Sequence, residues 1–132
     1  MSDMVKYLDY IADLGYNSVE LMPFNEFGGK RDWGYTPDYY FSGAEAYGFE
    51  MPRSEAVERG LIKPDQDKDK ESVWINGTDA IKVFVDEAHK KGLNVICDVV
   101  SADGKGGKIY RKTVFKCCDA CCSAAYVNDC CA

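Results

Sequence analysis

The stretch GTDAIKVFVDEAHKKGLNVICDVV, residues 77–100, holds a helix followed by a strand. Ile81, Phe84, Val85 and Ala88 recur at three- and four-residue spacing, which predicts an amphipathic helix from about residue 78 to residue 91. Asp79 stands near the positive end of its dipole, Lys90 and Lys91 stand near the negative end, and Gly92 closes it. LNVICDVV, residues 93–100, is almost wholly apolar, as expected of a strand covered on both faces in a parallel sheet. Upstream, SVELM at residues 18–22 is a second run of this kind, with β-branched Val19, and Pro23 stops it. Ahead of it Val5, Leu8, Ile11, Ala12 and Leu14 follow helical spacing behind Ser2 and Asp3, predicting a helix of about three turns capped by Gly15. Between the strands lie an aromatic, glycine-rich loop at residues 23–48, a short helix at 54–59 and a charged, solvated linker, KPDQDKDKE, at 63–71. The order is helix, strand, long loop, helix, strand. A strand, crossover helix and strand of this kind form a βαβ unit, almost always right-handed, with ligands expected on the loops past the strand C-termini. The pattern implies a parallel α/β fold and leaves a barrel and an open sheet both available. No G-x-G-x-x-G follows either strand and no G-x-x-x-x-G-K-[ST] occurs, so the nucleotide-binding open sheets have no support.

At 132 residues, 46% hydrophobic and 29% charged, the chain is one globular unit at most, about half a complete (β/α)8 barrel. The net charge of −6 argues against general affinity for nucleic acid or anionic membranes, whereas a neutral partner such as a sugar is compatible. Residues 1–15 contain Asp3, Asp9 and Asp13 and no apolar run of signal-peptide or membrane-span length, giving a cytoplasmic expectation. Asn76-Gly77-Thr78 matches the N-glycosylation sequon, with no secretory signal to bring it into use.

Four segments carry a resemblance: GYNSVELMPFNEF (15–27), WGYTPDYYF (33–41), AYG (46–48) and residues 77–100. In this order they resemble the α-amylase superfamily, glycoside hydrolase family 13, and VELMP and WGY look most like its branching-enzyme, isoamylase and trehalohydrolase side. The resemblance runs from about Leu8 to Val100, with an apparent insertion between Gly48 and Gly77. It implies an α/β fold, a partial (β/α)8 TIM barrel covering about the second and third strands with their helices. Residues 1–100 would be that fragment of the catalytic barrel. The implied chemistry is hydrolysis or transfer of α-1,4- or α-1,6-glucosidic bonds in starch or glycogen, with an α-glucan or maltooligosaccharide as partner and no cofactor.

By position, the resemblance makes Tyr35 the tyrosine that stacks on the sugar ring at the cleavage site, with Trp33 as a second aromatic surface. Asp98 matches the first residue of the family's D-x-x-x-N-H signature and would support site geometry by hydrogen bonding. The physical basis is general: sugar rings have apolar C–H faces that rigid aromatic rings cover, while polar groups bond the hydroxyls. Each residue also has a plainer reading, packing within the aromatic loop for Tyr35 and Trp33 and a structural hydrogen bond for Asp98.

The chain departs from the signature at Ala102 and Asp103, where the family has Asn and His, so a calcium-binding Asn and a sugar-contacting His find no match. The family's nucleophilic Asp, acid/base Glu and third Asp belong to later strands. The expectation is therefore a chain with no catalytic residues of its own, inactive alone, since a retaining glycosidase needs two carboxyl groups about 5 Å apart. Residues 101–132 form a divergent tail with six of the seven cysteines, expected to be disordered or non-native. Cys117, Cys118, Cys121 and Cys122 include C-x-x-C spacings, and Cys130 and Cys131 extend the set, but adjacent cysteine pairs are poor tetrahedral frameworks. Metal binding by this tail is one alternative function, and a non-catalytic glucan-binding module built on the aromatic loop is another. Unpaired strand edges give an expectation of self-association.

Overall fold

A computed structural model describes residues 1–28, 34–35 and 37–98. The three-turn N-terminal helix expected from the sequence is two short pieces, α1 (Ser2–Val5) and α2 (Leu8–Asp13). Neither has a side-chain N-cap bond and Leu8 is their one buried residue, so little holds a continuous helix together against the cost of ordering it. Gly15 closes α2 at φ +84°, a left-handed conformation that suits glycine.

The two apolar runs pair as expected. β1 (Ser18–Leu21) and β6 (Asn94–Cys97) are parallel, in register from Ser18 opposite Asn94 to Leu21 opposite Cys97. The crossover helix is α4 (Gly77–Lys90), which starts where the Asn76 side-chain oxygen accepts the amide of Asp79 and ends on His89 and Lys90. Its faces bury in two directions. Phe84 and Ala88 pack on the parallel pair with Leu8, Leu21, Leu93, Val95 and Cys97. Val83 joins a second cluster of Met51, Ala56, Val73 and Ile75.

That second cluster joins the short helix expected at 54–59 to strands which the periodicity did not reveal. Within the aromatic loop, β2 (Asn25–Glu26) pairs antiparallel with β3 (Tyr39–Gly43), followed by a 3-10 turn, Glu45–Tyr47. The inserted segment is a folded unit: β4 (Phe49–Pro52) pairs antiparallel with β5 (Ser72–Ile75), and α3 (Arg53–Glu58) follows β4 directly. The charged run after it is mostly exposed, as expected, yet it is tethered, because Arg53 donates to the carbonyls of Pro64 and Gln66. Arg59, braced by Glu55 of α3 at 2.9 Å, ties this unit to α4 through Asp86 at 3.2 Å and Glu87 at 2.8 Å. Lys90, and behind it Arg59, hold the Glu87 carboxyl below its ordinary range.

The architecture is mixed α/β with three two-stranded sheets among the described residues. No helix among them is long and apolar enough to cross a membrane.

Candidate functional site

Asp98 is placed by backbone pairing. Its amide donates to the carbonyl of Leu21 at 3.0 Å, carrying the parallel ladder one step past β6 and setting a half-buried carboxylate at the C-terminal rim of the two strands. The chain leaving β1 turns through Pro23, which is fully buried. Gly34 then packs directly on it: at φ +82°, with a notional Cβ only 2.2 Å from the Pro23 carbonyl oxygen, this position admits only glycine. That close approach delivers the next residue to the rim. The Tyr35 hydroxyl donates to Asp98 Oδ2 at 3.1 Å across 63 residues of sequence, and the residue remains 40% exposed.

The structure thus brings together two of the three residues singled out in the sequence. A carboxylate has acceptor capacity beyond one phenol hydroxyl, and an exposed phenol ring offers an apolar face, the two features a pyranose ring requires of its binder. Trp33 lies outside the described residues, as do Ala102 and Asp103. The metal-binding alternative on Cys117, Cys118, Cys121, Cys122, Cys130 and Cys131 also falls outside them. Among the described residues no group of three or more His, Cys, Asp or Glu side chains is placed to hold a metal ion.

Cys97, next to Asp98, faces the other way. It is 4% exposed, and burial pushes its thiol up to about 11, so it is a packing residue and a poor nucleophile at neutral pH. His89 is half-buried near the C-terminal end of α4, the opposite end from the strand C-termini, because the helix runs back antiparallel to them.

A feature that sequence reasoning missed lies at the start of α4. Glu26, Ser42, Glu45, Asn76, Thr78 and Asp79 line a polar cleft of about 280 Å³. Its walls are internally bonded: Glu26 Oε2 accepts the Glu45 amide at 2.7 Å, and the Gly43 amide donates to Thr78 Oγ1 at 2.9 Å. Asn76, read in the sequence as part of a sequon, caps the helix and donates from its side chain to Asp79 Oδ2. These residues come from separate segments, so no local spacing announces the cleft. The one available signal is Asn76 ahead of Asp79, the pattern of a helix N-cap.

Comparison with known proteins gives relatives over most of the described chain. It is 32% identical over 97 residues to a malto-oligosyltrehalose trehalohydrolase of Saccharolobus solfataricus, covering 74% of this chain and 12% of that protein. It is 34% identical over 96 residues to a chloroplastic isoamylase 1 of Oryza sativa subsp. japonica, covering 73% of this chain and 11% of that protein. With the 1,4-alpha-glucan branching enzyme GlgB of Pseudoalteromonas atlantica the identity is 30% over 103 residues, covering 75% of this chain and 10% of that protein. The chain therefore spans only about a tenth of the length of these curated relatives. No protein-family model and no solved structure matches it.

Proposed function

The chain belongs to the α-amylase superfamily, glycoside hydrolase family 13, and from that premise we propose that it supplies one wall of an α-glucan site on part of a (β/α)8 barrel. Its β1 and β6 would be about the second and third barrel strands. Residues 1–100 would be the barrel portion and residues 101–132 a tail of different character. The observation that carries this reading is the Tyr35–Asp98 hydrogen bond at the C-terminal rim of two adjacent parallel strands, the end where such folds hold their ligands. Tyr35 would stack on a sugar ring, Asp98 would orient the phenol and accept from a hydroxyl, and Trp33 would add a second aromatic surface. Glucan bonds would be held here and not cleaved by this chain alone. Among the described residues the outer edges of β1 and β6 pair with no strand, and these edges are where further barrel strands or a second copy would add.

The test is calorimetric titration with maltoheptaose. One wall buries too little ligand for tight binding, so a dissociation constant in the millimolar range is expected. Tyr35→Ala should weaken it by about three- to tenfold, the worth of one aromatic face, while leaving the far-ultraviolet circular dichroism unchanged. Equal affinity in the parent chain and Tyr35→Ala would assign the ring to packing and remove the proposal.

A further inference from the structure

The inserted segment presents an indole that the strand-end site does not use. Trp74 stands on the outward face of β5, opposite Glu50 in the register, and is 56% exposed. Two contacts fix it there. A Cβ on residue 48 would meet its Cζ2 at 2.6 Å and its Cε2 at 2.9 Å, so the ring lies against the bare backbone of Gly48. Its Nε1–H donates to Glu45 Oε1 at 2.6 Å. An aromatic ring held in one orientation while much of its surface stays in water has its ordering cost met before any ligand arrives.

Glu45 links this ring to the polar cleft, which it lines together with Glu26, Ser42, Asn76, Thr78 and Asp79. The acidic walls disfavour an anion. A metal ion is equally unsupported, because Asp79 is paired with Lys82 at 2.8 Å and no three-ligand group occurs among the described residues. An apolar ring face beside an acceptor-rich cleft suits a neutral ring with a C–H face and donor hydroxyls at its rim. We propose that Trp74, Glu45 and the adjoining cleft form a second sugar subsite, separate from Tyr35 and Asp98, which takes one hexopyranose unit of the glucan. Because α4 runs back from the strand C-termini, the cleft at its N-terminus lies at the same end of the βαβ unit as Asp98. The indole comes from the apparent insertion between Gly48 and Gly77, outside the segments that carry the family pattern. That the hexose belongs to an α-glucan rests on the function proposed above.

The experiment labels the full chain with fluorotryptophan, giving one fluorine resonance for each of its two tryptophans, assigned with Trp74→Phe. Titration with maltoheptaose is followed by fluorine NMR and by calorimetry in the parent chain, Tyr35→Ala, Trp74→Ala, Trp74→Tyr and Glu45→Ala. The Trp74 resonance should shift saturably and should still shift in Tyr35→Ala. Trp74→Ala should weaken binding by about three- to tenfold, Glu45→Ala should weaken it less, and Trp74→Tyr should recover part of the loss. Circular dichroism identifies any variant that fails to fold, and Trp74→Tyr, which keeps a ring, carries the test if Trp74→Ala is such a variant. A Trp74 resonance unmoved while binding is lost only in Tyr35→Ala overturns the subsite and leaves the strand-end site standing. Binding lost only in Trp74→Ala sustains the subsite and removes the Tyr35 reading. No binding in the parent chain overturns both.

Discussion

Alanine at position 77 is expected to destabilise the protein by about 3 kcal/mol, the upper end of what overpacking a packed interior costs. Gly77 opens α4, where helix propensity alone favours alanine over glycine by about 1 kcal/mol, so propensity and packing give opposite signs. Packing decides. A Cβ on residue 77 would lie 2.0 Å from the Ala44 carbonyl oxygen and 2.5 Å from its carbon, and both are backbone atoms that no rotamer change can move. Gly43 approaches from the other side, where a Cβ would meet the Gly77 carbonyl at 2.8 Å. Relieving the clash separates β3 from the first turn of α4 and breaks the bond from the Gly43 amide to Thr78 Oγ1. Urea unfolding followed by circular dichroism measures the loss, with Gly60→Ala as the control. At Gly60, φ is +71° and a Cβ meets nothing within 4 Å, so the expected cost there is only about 1 kcal/mol of left-handed strain. A Gly77→Ala protein as stable as the parent would mean that the contact between β3 and α4 is not as described.

The chain is also expected to release no reducing sugar from starch, glycogen or maltoheptaose above the blank. Retaining hydrolysis needs two carboxyl groups about 5 Å apart across the bond, one ionised and one holding a proton through a raised pKa. The rim carboxylate, Asp98, accepts from Tyr35, Glu26 accepts the amide of Glu45, and Glu45 accepts from Trp74, so these three serve as acceptors. Asp3, Asp67 and Glu87 hold their carboxyls below the ordinary range. Each is lowered by a hydrogen bond from a lysine, Lys6, Lys70 and Lys90 respectively, the wrong direction for a proton donor. A catalytic unit lacking members loses nearly all of its rate enhancement, which for enzymes is at least about a millionfold. The assay is reducing-sugar release with chain-length profiling, run beside Asp98→Asn. Turnover that vanishes in that variant would show that the chain holds an acid pair of its own and would sink the reading of an inactive wall.

The sequence alone determined the elements whose burial is periodic. Ile81, Phe84 and Ala88 mark one stripe of α4, and the runs around Val19 and Val95 mark two strands, because water drives apolar faces inward and the spacing of those faces is local. It also marked Tyr35 and Asp98, through family resemblance and not through any physical pattern near them. It misread the N-terminal helix, since Val5, Ile11 and Leu14 keep helical spacing although Leu8 is the one residue there that becomes buried. Nor was the inserted hairpin read, although Val73 and Ile75 alternate inward with Ser72 and Trp74 outward, because four residues of alternation are a weak signal inside a charged, loop-like context. Only the tertiary structure decided that Tyr35 meets Asp98 and that Trp74 stands fixed over Gly48. It also decided that the N-terminus of α4 closes against Ala44. Those contacts depend on two backbones approaching to distances that glycine alone permits at Gly34, Gly48 and Gly77. Such an approach joins residues far apart in the chain, and nothing in the residues neighbouring either partner encodes it.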